Sequence, residues 1–296
     1  MKDGNYGATA FGSSDKLSFQ INGSKRDYKD YDTPTFLLEN HDTEEMEAHN
    51  KVENSYGDSS SFGLGGSYML DSGYAGLSFS SYESTYGVPG EHADLDTRIE
   101  MESDRFEFRS EIEVSDSGWL TGIDFNIGYG DYKHSEIGKE DHDDDELHTH
   151  ATYLREGFEG KIAFEHEVGE LRGVFGLHGL FDEFKIEGEE SIFSGLSKDW
   201  VYDAISDTNV STPSASRGPE ISAEESSRIA LFLLEEYDLS DNTTLNAGVR
   251  WESISRDYQG TADRDDSTFS ASGGVSHDLS DLWNLSGNLS YAERTP

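Results

Sequence analysis

Histidines and carboxylates crowd one short stretch of the chain. Within KHSEIGKEDHDDDELHTH (Lys133–His150), four of the ten histidines stand among Glu136, Glu140, Asp141, Asp143, Asp144, Asp145 and Glu146. Neutral imidazole nitrogen suits Zn²⁺, and carboxylates can fill the remaining positions and supply a negative field. The candidate metal ligands are therefore His134, Asp141, His142, Asp143, Asp144, Asp145, His148 and His150, with His92 next to Glu91 in the preceding polar stretch. His148 and His150 are two residues apart and share a face of any extended strand, and a hairpin would bring His134 back toward them. The plainer reading of such a stretch is a solvated loop. His41 and His49, among Glu44, Glu45 and Glu47, fit that plainer reading better. His166, His178 and His277 lie in strand-like segments, His166 in apolar and His178 in polar register, and read as structural residues.

No arrangement points to catalysis. Cysteine is absent, and among 61 Asp and Glu residues an acid–base pair can be found anywhere, so it diagnoses nothing. Gly63-Leu64-Gly65-Gly66 leads from one strand-like run into another and not into a helix, which rules out a phosphate loop. The expectation is a non-enzyme with no catalytic cofactor.

The elements that must position these residues are strands. From Arg105 to Val114, Phe106, Phe108, Ile112 and Val114 take one face, and Arg105, Glu107, Arg109, Glu111 and Glu113 the other. Leu17, Phe19, Ile21; Ile123, Phe125, Ile127, Tyr129; and Leu245, Ala247, Val249, Trp251 repeat the alternation. About 11 or 12 such strands can be placed. Their connections alternate between tight turns, such as Asp71-Ser72-Gly73, Gly169-Glu170, Ser240-Asp241-Asn242 and Ser280-Asp281, and long polar stretches near Lys29–Asn54, Tyr86–Glu102, His134–His150, Glu187–Glu225 and Gly260–Asp266. Short turns on one rim and long loops on the other are the pattern of an outer-membrane barrel. Several runs exceed the roughly 9–11 residues that cross a bilayer at a tilt. The polar face carries too many charges for a dry core. Tyr68, Tyr74, Tyr82, Trp119, Tyr129, Tyr237 and Trp283 fall near strand ends, where aromatic girdles would sit.

Composition agrees. The chain of 296 residues is only 33% hydrophobic but 12% aromatic with 31 glycines, a mixture suited to β-structure. A net charge of −39 excludes nucleic acid as a partner and favours cations. No run approaches the roughly 18 apolar residues of a membrane helix. The opening MKDGNYGATA lacks the regions of a signal peptide, so the expected chain is part of a longer precursor.

The stretch SRIALFLLEEY (Ser227–Tyr237), the turn Leu239-Ser240-Asp241, the L-x-A-G-x-R run Leu245–Arg250 and the YAERTP of Tyr291–Pro296 together resemble TonB-dependent receptor barrels. Asp30–Pro34 (DYDTP), Tyr86–His92 (YGVPGEH) and Gly130–Ile137 (GDYKHSEI) resemble the zinc-uptake subgroup, which includes proposed haem relatives. The resemblance implies an all-β antiparallel transmembrane meander over residues 1–296, about half of a roughly 22-stranded barrel, with the plug domain and the C-terminal strands absent. It implies a bacterial outer-membrane location, lipid as surroundings, a metal ion or metal chelate as ligand, and the TonB energy-coupling complex as partner through the plug. Zinc is favoured. A ferric siderophore or haem receptor and a passive channel or structural barrel are the alternatives. A calcium-loaded acidic adhesin is disfavoured because G-G-x-G-x-D repeats are missing.

Overall fold

The computed structural model describes residues 3–39, 46–90, 95–114, 118–139, 146–188, 223–258 and 263–295. Among them there are strands and turns but no helix. Twelve strands form one antiparallel meander, β1 (Gly4–Ser13), β2 (Leu17–Tyr28), β5 (Gly57–Leu70), β6 (Gly73–Gly87), β7 (Arg98–Glu113), β8 (Leu120–Gly138), β9 (His148–Val168), β10 (Leu171–Glu187), β11 (Ala223–Ser240), β12 (Thr243–Tyr258), β13 (Arg264–Ser280) and β14 (Trp283–Ala292). β3 (Asp32–Glu39) and β4 (Met46–Lys51) pair only with each other, inside the connection from β2 to β5. Short and long connections alternate as expected, but the β3–β4 hairpin occupies what reads in the sequence as a plain loop.

Two long connections are shorter than the sequence implies. β8 and β9 contain 19 and 21 residues, so only residues 139–147 join them, and His134, His148 and His150 lie on strands. β7 likewise begins at Arg98. The physical reason is that period-two pairing continues through polar sequence wherever cross-strand neighbours still meet, and exposed charge does not oppose it.

The sheet has almost no interior. Ala151, Ala163, Ala230 and Ile254 are the buried hydrophobics among the described residues, while Phe106 and Phe158 are each 53% exposed. Among the described residues no second layer covers the apolar face. Directly paired residues of an antiparallel sheet share a face, and the pairing places Phe106 with Tyr129, Phe108 with Ile127 and Ile112 with Ile123 on one side, and Arg109 with Asn126 and Glu111 with Asp124 on the other. The separation of faces therefore follows the sequence alternation residue by residue. Arg26, Arg105, Arg109, Arg155, Arg172, Arg228, Arg250, Arg256 and Arg264 all stand on the polar face, and of the described strand arginines only Arg98 does not.

Two parallel rows run across the apolar face. Phe79, Phe106, Tyr129, Phe158 and Phe181 are successive cross-strand partners from β6 to β10, with centroids 4.6 Å apart for Phe79–Phe106 and for Tyr129–Phe158. Two residues nearer the long connections, Asp104, Asp131, Glu156, Glu183, Glu225 and Asp257 form an unbroken row from β7 to β12. The aromatic row thus lies within the strands and is built mainly from phenylalanine. Tyr74 and Tyr82, expected at a girdle, pair with Glu111 and Ser103 on the polar face instead.

Candidate functional site

The polar face is divided into sectors. On β2, β5 and β6 it carries Ser18, Gln20, Asn22, Gly65, Ser67, Gly76 and Ser78, and on β13 and β14 Ser272, Gly274, Ser286 and Asn288. Charge is concentrated between, on β7 to β12. There Arg250 Nη2 donates to His178 Nδ1 at 3.1 Å, which leaves Nε2–H to donate to Glu159 at 3.0 Å. Glu252 accepts from Arg250 at 2.7 Å and lies 3.5 Å from Arg228. His178 is thereby a structural link in a chain of ion pairs, in the polar register that its sequence position gives it. His166 stands on the apolar face, 3.2 Å from Glu235 and beside Trp119.

Toward the long connections the polar face becomes aromatic. The Tyr132 hydroxyl lies 2.9 Å from His134 Nδ1, the His134 and Tyr153 rings stack at 4.4 Å, and Phe184 lies 6.5 Å from Tyr153. These groups stand beyond both rows on the opposite face. Below them the sheet surface dips into a depression of about 250 Å³, where Gly128, Gly130 and Gly157 lie among Arg105, Arg155 and Tyr132.

Of the candidate ligands, His134, His148 and His150 are described, whereas His92, Asp141, His142, Asp143, Asp144 and Asp145 lie outside the described residues. His148 pairs with Gly138 at the very end of β8. His150 sits at a bulge in the register, and its Nε2 and Thr97 Oγ1 crowd the space above Gly138. His134 pairs with Tyr153, four residues further down β8, which puts it about 13 Å from the rim at about 3.3 Å per residue. The structure therefore brings His148 and His150 to one place and leaves His134 apart from them. Among the described residues no group of three or more His, Cys, Asp or Glu side chains is placed to hold a metal ion. His49 stacks on Phe36 at 5.9 Å within the β3–β4 hairpin.

Beneath these positions three connections are laced together, which no sequence motif announces. Asn54, buried and at φ 56°, donates through its carboxamide to Val88 O at 3.0 Å and Thr97 O at 2.6 Å. Ser55 N donates to Asp30 at 2.8 Å, and Lys51 lies 2.7 Å from the same carboxylate. Burial raises the Asp30 carboxyl, but Lys51 and the Ser55 and Tyr56 amides outweigh it and hold it below its ordinary value. Lys139 then joins the next connection, donating its amide to Leu95 O at 2.9 Å and its ammonium to Asp96 at 2.8 Å.

With this geometry in place, similarity to known proteins can be stated. A family model described as TonB dependent receptor-like, beta-barrel, matches residues 4–296. No curated protein matches the sequence. Among solved structures the chain resembles the FrpB iron transporter from Neisseria meningitidis (F5-1 variant) at TM-score 0.72 and 15% identity, over 99% of this chain and 45% of that one. It resembles the copper transporter OprC at TM-score 0.71 and 15% identity, over 99% and 44%. It also resembles the ferric yersiniabactin uptake receptor FyuA from Yersinia pestis at TM-score 0.64 and 11% identity, over 97% and 45%. The chain spans less than half the length of each, and at these identities the likeness is one of fold.

Proposed function

Because the chain belongs to the TonB-dependent receptor β-barrel family, we propose that it works as part of an outer-membrane receptor that takes up a metal ion or metal chelate, with zinc the favoured cargo. The apolar face would meet lipid and the polar face the lumen. A plug domain and the TonB energy-coupling complex would drive the transport. One observation carries the zinc reading. The His/Asp-rich connection 139–147 springs from a rim at which His148 and His150 already stand together over the polar face. Four nitrogen or oxygen ligands suffice for zinc, and His142, Asp141, Asp143, Asp144, Asp145 and His92 supply the rest.

Zinc titration of the full-length protein in detergent tests this, comparing wild type with a variant in which His142, His148 and His150 are alanine. A fall in affinity of at least tenfold is expected, and equal affinity would overturn the reading.

A further inference from the structure

On the apolar face of β8 to β12 the aromatic row and the acidic row border a groove of about 640 Å³. Tyr129, Phe158 and Phe181 form one wall, and Glu156, Glu183, Glu225 and Asp257 form the other. The groove opens because the aromatic row ends at Phe181. Its next two cross-strand members are Ser227 and Ser255, whose small side chains leave the space beside Phe181 unfilled. We propose that this groove docks an amine-bearing membrane lipid, with its ammonium group among the carboxylates and its apolar chain over the aromatic wall.

Charge complementarity identifies the occupant. Successive members of the acidic row are direct cross-strand partners, an arrangement that like charges disfavour. Glu183 meets Lys185 at 2.5 Å, and Glu156 accepts from the Tyr129 hydroxyl at 2.9 Å. Glu225 and Asp257, both exposed, have no side-chain partner among the described residues. An ammonium group supplies the missing countercharge, donates up to three hydrogen bonds to carboxylates, and gains further from an aromatic ring face beside it. Phe158 and Phe181, 53% and 50% exposed, offer the apolar surface that its chain would cover. A free cation would use the carboxylates alone, and a purely anionic lipid would be repelled by them.

The inference rests on the apolar face meeting lipid but on none of the zinc-capturing residues, so it and the zinc reading can fail separately. Full-length protein in detergent micelles is offered phosphatidylethanolamine and phosphatidylglycerol with identical acyl chains, and the lipid retained is counted by native mass spectrometry. Wild type is expected to retain phosphatidylethanolamine at least tenfold more than phosphatidylglycerol, in EDTA as well as in magnesium. Glu225→Gln with Asp257→Asn changes two exposed side chains at constant size, so the fold should tolerate it, and it should bring the two lipids within about twofold. Glu111→Gln with Asp124→Asn removes the same charge from the opposite face and should leave the preference at its wild-type value, which separates the groove from the net charge of the chain. Equal retention of the two lipids by wild type, or an undiminished preference in the groove variant, would overturn the proposal. So would retention of phosphatidylglycerol that depends on magnesium, since the row would then bridge lipid phosphate through a divalent ion.

Discussion

His134 ties the upper ends of β8 and β9 together, with Tyr132 on its Nδ1 at 2.9 Å and Tyr153 stacked on its ring at 4.4 Å. Asn54 offers a second case. Alanine there removes two hydrogen bonds at a buried site and gives up asparagine's tolerance of the left-handed region, at about 1–3 kcal/mol. Asn54→Ala should speed exchange of the Val88 amide by about tenfold or more, and Asn54→Gly, which relieves the backbone but not the bonds, should do so less. Wild-type exchange in both variants would show that the carboxamide contributes little. Neither role is legible in the sequence, because Asn54 gains its importance from Val88 and Thr97, more than thirty residues away.

Strands were the most legible part of the molecule, since alternation in segments such as Arg105–Val114 directly encodes which side chains share a face. Their ends were less so. Lys133–Gly138 reads as the start of a polar loop, yet it pairs with β9 through Leu154, Tyr153 and Thr152. The acidic row from Asp104 to Asp257 was invisible for a different reason, because it exists only once six strands are set in register. Like charges placed directly opposite are destabilising. Glu183 has Lys185 at 2.5 Å to offset this, whereas Glu225 lies between Glu183 and Asp257. Glu225→Gln should therefore stabilise the sheet by a few tenths of a kcal/mol at low salt, and the gain should shrink at high ionic strength, where such repulsion is screened. Unfolding by denaturant in micelles at two salt concentrations would reveal it, and a salt-independent effect would point to another cause.

At the scale of the whole molecule, a single layer with Leu231, Phe106 and Phe158 each 53% exposed on one face requires an apolar medium against that face. The chain should stay monodisperse only in detergent or lipid, and a cooperatively melting monomer in plain buffer, seen by sedimentation, would contradict the membrane reading. The meander has a further consequence for how it forms. Apart from the detour through β3 and β4, every strand pairs with its neighbours in sequence, so contacts are local and assembly can advance hairpin by hairpin. Closing a connection of some thirty residues costs about 2 kcal/mol more than closing a two-residue turn. Two connections are of that size, the one from Tyr28 to Gly57 and the one from Glu187 to Ala223. They act as kinetic seams, dividing the sheet into β1–β2, β5–β10 and β11–β14, three blocks that can each zip rapidly and whose mutual docking sets the pace of folding.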